Sequence, residues 1–220
     1  MLERISRREE FDLFVAWIAI SLAFTIIFIS PGGLFSSGVT VDPIVALIFF
    51  GISLITVGIG FILHEMGHKF LAMKYGFWAE FRKDDIMLLI AVVLAALVGF
   101  VFAAPGATVI YSNPADGRGI TREQNGKISA IGPVVNLLLC IPFALLLIVS
   151  SGAMRNPDGI IATIGIIGLR VNAMLAAFNM LPVSVLDGKK VLAWNAGAFA
   201  VLIVAAFGVL VGSYYFIGTV

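Results

Sequence analysis

His64, Glu65 and His68 stand together as His-Glu-Met-Gly-His in the segment GIGFILHEMGHKFLAMKYG, which runs from Gly58 to Gly76. Residues four apart on an α-helix lie on one face, one turn above the other. Two imidazoles so placed can hold one zinc ion from a rigid scaffold. Glu65, beside the first ligand, can reach a water at the metal and take its proton as the water attacks a carbonyl. Zinc brings the pKa of such a water from 15.7 to about 7, so hydroxide is available at neutral pH. The competing reading is a chance match, or polar residues at a wet helix end. The chain has only two histidines and both are here. Ionisable residues inside a membrane segment are costly and usually functional. Both facts favour a metal site.

Catalytic zinc sites usually have three protein ligands and an open position. No further histidine exists, and the acidic residues just downstream lie in the polar stretch KYGFWAEFRKDD. The best distant candidate is Asp187 in FNMLPVSVLDGKKV. Pro182 interrupts the apolar run before it, so the helix should break there. Irregular backbone at membrane depth is tolerated where protein or a wet cavity surrounds it. Gly188 permits a tight bend beside the carboxylate. The alternative is an aspartate that caps the last helix, with Lys189 and Lys190 as interfacial anchors. From these residues alone the two readings stand level.

Three motifs now lie in order: His64-Glu65-x-x-His68, then Gly132-Pro-Val-Val-Asn136, then Asn179-x-x-Pro182-x-x-x-x-Asp187-Gly188. In order and spacing they resemble the core of the site-2 protease family of intramembrane zinc metalloproteases, over about Pro43 to Trp194. The resemblance implies one zinc per chain held by His64, His68 and Asp187, with Glu65 as general base. It implies a transmembrane protein substrate cut near or within the bilayer. Asn136 and Asn179 occupy motif positions and would support the site or contact the substrate backbone, or else make interhelical hydrogen bonds.

The elements that must position these residues are membrane spans. The chain has 220 residues, of which 60% are hydrophobic and 12% charged, and its mean hydropathy is +1.08. Such a chain is an integral membrane protein. Its net charge of +1 gives no reason to expect nucleic-acid binding. The single cysteine, Cys140, excludes an intrachain disulfide and any multi-cysteine metal cluster. Apolar runs cover about Phe11–Ser30, Pro43–Lys69, Ile86–Ala104, Ile128–Ser150, Ile160–Leu181 and Val191–Ile217. The first is expected to be a retained span and not a cleaved signal. The expected fold is all-α and polytopic, with about five to six transmembrane helices and a short re-entrant β-like element, in a single domain over residues 1–220.

Basic residues cluster in four places: Arg4, Arg7 and Arg8; Lys69, Lys74, Arg82 and Lys83; Arg118, Arg122 and Lys127; and Lys189 and Lys190. The positive-inside bias then puts the N-terminus and the end of the second span in the cytoplasm, with the active site near that side. Asp187 must reach the side where His64 lies. The chain between His68 and Lys127 must therefore make an even number of crossings, or none. Ile86–Ala104 is long enough to cross once, so PGATVIYS (Pro105–Ser112), up to about 27 Å when extended, must return it, or the whole stretch dips in and comes back. FWAEFR (Phe77–Arg82) and ATVIYS (Ala107–Ser112) are candidate strands that could hold an unwound substrate by β-augmentation. Loops anchored by Trp78 and Tyr111 at the interface are the simpler reading.

The chemistry expected is hydrolysis of a peptide bond in an unwound transmembrane segment, in regulated intramembrane proteolysis. The alternative is a non-proteolytic zinc-binding transporter or binding protein, which gives Glu65 no role. The bilayer and a transmembrane substrate are the expected partners, and neither the substrate nor the oligomeric state is legible.

Overall fold

A computed structural model of the chain describes residues 5–36, 40–101, 105–112, 119–152, 159–183 and 185–217. In order these form α1 (Arg7–Ile29), α2 (Pro43–Ser53), a π-helical turn (Leu54–Gly58), α3 (Ile59–Lys74), β1 (Trp78–Lys83), α4 (Asp85–Val98), β2 (Gly106–Tyr111), α5 (Arg122–Gly152), α6 (Ile160–Asn179), α7 (Asp187–Trp194) and α8 (Ala196–Ile217). Among the described residues, five helical stretches are long and apolar enough to cross a membrane: Arg7–Ile29, Pro43–Lys74, Arg122–Ser150, Ile160–Asn179 and Ala196–Tyr215. Together with one two-stranded sheet, this is the expected polytopic helical protein with a short β element. The residues group into two compact units, 1–62 with 79–109, and 63–78 with 110–220.

In the first unit, Ser6 caps α1 by accepting from Glu9 N–H at 3.2 Å. Asp42 caps α2 through Ile44 N–H at 2.7 Å, with Pro43 preset for the first turn. The π-helical turn sits inside the second span, where Trp17 of α1 donates its indole N–H to the Leu54 carbonyl at 3.0 Å. Gly58 lies flat against the same indole, and a side chain there would collide with it. Trp17 thereby ties α1 to the π-helical turn.

The run Ile86–Ala104 belongs to the same unit. Asp84 caps α4, accepting from the N–H groups of Ile86 and Met87 at 3.0 Å. Gly99 ends α4 in the left-handed conformation, φ 66°, packed on the Pro31 carbonyl. α4 has 14 residues, about 21 Å at 1.5 Å per residue, short of a 30 Å bilayer core. The apolar run Ile86–Ala104 is therefore not one crossing helix. Its helix stops at Val98, and positions 102–104 lie outside the described residues. The Asp84 N–H donates to the Pro105 carbonyl at 2.9 Å, so the chain comes back beside the point where α4 began. β2 then pairs with β1. The two stretches offered as strands, FWAEFR and ATVIYS, do form the sheet. β1 is tied to α1 by Glu9, which accepts from Phe81 N–H at 2.9 Å, and by Arg82, which pairs with Asp12 at 3.6 Å and with Glu80.

In the second unit, α5 opens with a reciprocal cap: Gln124 N–H to Thr121 Oγ1 at 3.1 Å, and Thr121 N–H to Gln124 Oε1 at 3.0 Å. α5 packs against α6, α7 and α8. Small residues set the approach: Gly168 of α6 lies under the Phe143 ring, and Gly126 of α5 lies against Trp194 of α7, with no room for a side chain at either. Arg170, inside the α6 span, places its guanidinium 4.3 Å from the Tyr214 ring centroid on α8, a cation–π contact suited to a charge at that depth. The apolar run Val191–Ile217 is not one helix. Asn195 is extended (φ −150°, ψ 111°) and its side chain caps α8 by accepting from Ala198 N–H at 2.9 Å. The chain therefore turns between α7 and α8.

Candidate metal centre

The second unit brings His64 and His68 of α3 to Asp187, the first residue of α7. The two rings meet edge to face, with centroids 4.7 Å apart and planes at 84°. Both Nε2 atoms approach one oxygen of Asp187, His64 at 3.3 Å and His68 at 3.1 Å. The other carboxylate oxygen lies 3.8 Å from Lys190 Nζ. Glu65 joins the group: ligand atoms of His64, Glu65 and His68 lie within 4.8 Å of one another. All four residues are buried.

Each feature has a local cause in the sequence. α6 ends at Asn179, three residues before Pro182, as a proline that cannot continue the ladder requires. Gly188 lies against the carbonyls of Met180 and Leu181, so α7 starts hard against the end of α6. That close start places Asp187 at its depth. In α5, Pro133 withholds the N–H that the Ser129 carbonyl would take. Beside this opening, the Ile128 carbonyl accepts from His68 Nδ1 at 2.7 Å.

The other histidine is held by side chains. His64 Nδ1 lies 2.6 Å from Asn136 Oδ1. Asn136 Nδ2 donates to Asn172 Oδ1 at 3.0 Å, and Asn172 Nδ2 donates to the Gly168 carbonyl at 2.9 Å. Asn136 thus touches a candidate ligand directly. Asn179 donates to the Leu175 carbonyl of its own helix at 3.0 Å and is not part of this chain of bonds. Asn172 was not singled out by sequence reasoning, although a buried amide inside an apolar span is a signal in itself.

Do these residues fit a metal ion? A carbonyl and an amide oxygen facing Nδ1 put the ring proton there and leave the Nε2 lone pair for a ligand. Tetrahedral zinc with bonds of about 2.0–2.1 Å has ligand–ligand edges of about 3.3 Å. The two Nε2–Asp187 separations are of that size. Gly132 supplies the space. A Cβ at that position would stand 2.5 Å from both Nε2 atoms, so a larger residue would occupy the point on which the donors converge. The set fits zinc in donor type, spacing and room.

Comparison with known proteins agrees with this chemistry. Over 199 residues the chain is 37% identical to a protein of Methanocaldococcus jannaschii named as a candidate zinc metalloprotease, covering 90% of this chain and 91% of that one. Over 181 residues it is 26% identical to a protein of the same organism named a zinc metalloprotease, covering 74% of this chain and 44% of that one. No protein-family model matches the chain, and no solved structure matches it.

Proposed function

The chain belongs to the site-2 protease family of zinc metalloproteases, and on that premise we propose that it is an intramembrane endopeptidase. His64, His68 and Asp187 would hold the zinc. The observation that carries the reading is the convergence of two Nε2 atoms on one carboxylate oxygen, at 3.3 and 3.1 Å, beside the buried Glu65. The chemistry zinc supplies when bound is Lewis acidity, which makes water nucleophilic near neutral pH and polarises a carbonyl. Glu65 takes a proton from the attacking water as its oxygen bonds to the scissile carbon. It then delivers that proton to the amide nitrogen as the carbon–nitrogen bond breaks. Asn136 and the Ile128 carbonyl keep the two imidazoles turned toward the reaction.

Five apolar helices make the chain a multi-pass membrane protein. The substrate we propose is a transmembrane segment of another protein. A helix hides its carbonyls in its own hydrogen bonds, so such a segment must unwind before attack. The two-stranded sheet offers an edge of the kind that binds an extended chain. His64 lies about 30 Å along the helical run that begins at Pro43. We propose a cytoplasmic N-terminus, which the basic residues near it favour; the site would then lie near the cytoplasmic face, where water is at hand, and release of a membrane-tethered factor is the biological role that fits.

The test uses purified protein and a reporter bearing one transmembrane segment. Wild type is expected to carry about one zinc per chain and to cut the reporter. Glu65→Gln is expected to keep the zinc and lose about 10²–10⁴-fold in cleavage. Cleavage by Glu65→Gln at the wild-type rate overturns the mechanism. Metal flux into liposomes that Glu65→Gln leaves intact would point to a transporter instead.

A further inference from the structure

We propose that Asn172 is a positioning residue that fixes the tautomer and orientation of His64 from two residues away. This rests on the metal-site reading above. The argument is one of direction. The Gly168 carbonyl can only accept, so the group of Asn172 that faces it, at 2.9 Å, is the amide nitrogen. That turns Asn172 Oδ1 toward Asn136, at 3.0 Å. An oxygen there must be met by a donor, so Asn136 presents its Nδ2 to Asn172 and its Oδ1 to His64 Nδ1, at 2.6 Å. An acceptor at Nδ1 places the ring proton on Nδ1 and the lone pair on Nε2, 3.3 Å from the Asp187 carboxylate. Asn136 alone does not dictate this, because an amide can turn over and offer its NH₂ to the ring. The polarity is set two residues upstream, by a backbone carbonyl of α6.

Burial makes the device matter. Asn136 and Asn172 are both fully buried, in surroundings where a reversed amide would set donor against donor without water to separate them. His68 has no need of such a chain, since its Nδ1 meets the Ile128 carbonyl directly, at 2.7 Å. The two ligands are therefore oriented by independent means, and His68 is a control built into the same protein.

Zinc-loaded protein labelled with ¹⁵N at histidine alone has just two rings to observe, because the chain has two histidines. Wild type should show, for each ring, a hydrogen-bonded Nδ1–H and a metal-bound Nε2. Asn172→Leu removes the acceptor at similar size. The His64 Nδ1–H resonance should then move upfield while that of His68 stays, and zinc affinity, measured by competition with a chelator, should fall about 10–100-fold. Asn172→Asp, read at a pH where its carboxyl is protonated, can donate its O–H to the Gly168 carbonyl and keep the other oxygen facing Asn136, so it should stay close to wild type in both measurements. If wild type shows no metal-bound Nε2, the metal-site reading fails. If wild type shows it and Asn172→Leu matches wild type in resonance and affinity, the relay alone is overturned. Should Asn172→Leu fail to fold, a folded Asn172→Asp with a displaced His64 resonance overturns the relay equally.

Discussion

At Gly132 the missing side chain is the functional feature. A methyl group there would stand 2.5 Å from both Nε2 atoms. Gly132→Ala is therefore expected to lower zinc content well below one per chain while the helices stay assembled, a result that metal analysis alongside thermal melting would show. Full zinc occupancy in Gly132→Ala would mean that the ion does not sit where the donors converge. The residues of the candidate site were legible to different degrees for physical reasons. His64, Glu65 and His68 form a local pattern whose geometry a single helix dictates. Asp187 needed a partner motif more than a hundred residues away, because only packing joins α7 to α3. Asn172 carried no motif, and its role depends on a bond to Asn136 from a different helix, which no spacing along one chain reveals. Gly132 was legible as part of a motif but not as a space.

Helix ends were harder to read than helix existence. The runs beginning at Phe11, Pro43, Ile128 and Ile160 each proved to be a helix, since a long apolar segment in a bilayer has few other ways to satisfy its backbone. Two runs were divided where hydrophobicity says nothing. Val191–Ile217 is broken at Asn195, a residue that leaves the helix to cap the next one. Ile86–Ala104 is stopped at Gly99 by a left-handed turn packed on Pro31. Gly99→Ala brings both a positive φ and a collision with the Pro31 carbonyl, and is expected to destabilise by about 2–4 kcal/mol. Gly51, which has nothing within 4 Å, is the comparison: Gly51→Ala should leave the melting temperature unchanged or raise it. Equal melting of the two variants would show that the Gly99 turn does not hold α4.

For the molecule as a whole, the polytopic helical class was legible and the path of the chain was not. Bringing Asp187 to the side of His64 asks for an even number of crossings, or none, between His68 and Lys127. The stretch between them holds a helix of 14 residues and a strand that pairs with the one before it. Single cysteines on a Cys140→Ala background test the arrangement with an impermeant thiol reagent. A cysteine at Glu123 should react from the cytoplasmic face and one at Asp42 from the opposite face; reaction of both from one face would break the scheme. The hydrogen bond from Asp84 to Pro105 closes the intervening excursion on itself. A change of length between Asp84 and Pro105 is therefore expected to leave the pairing of β2 with β1 in place.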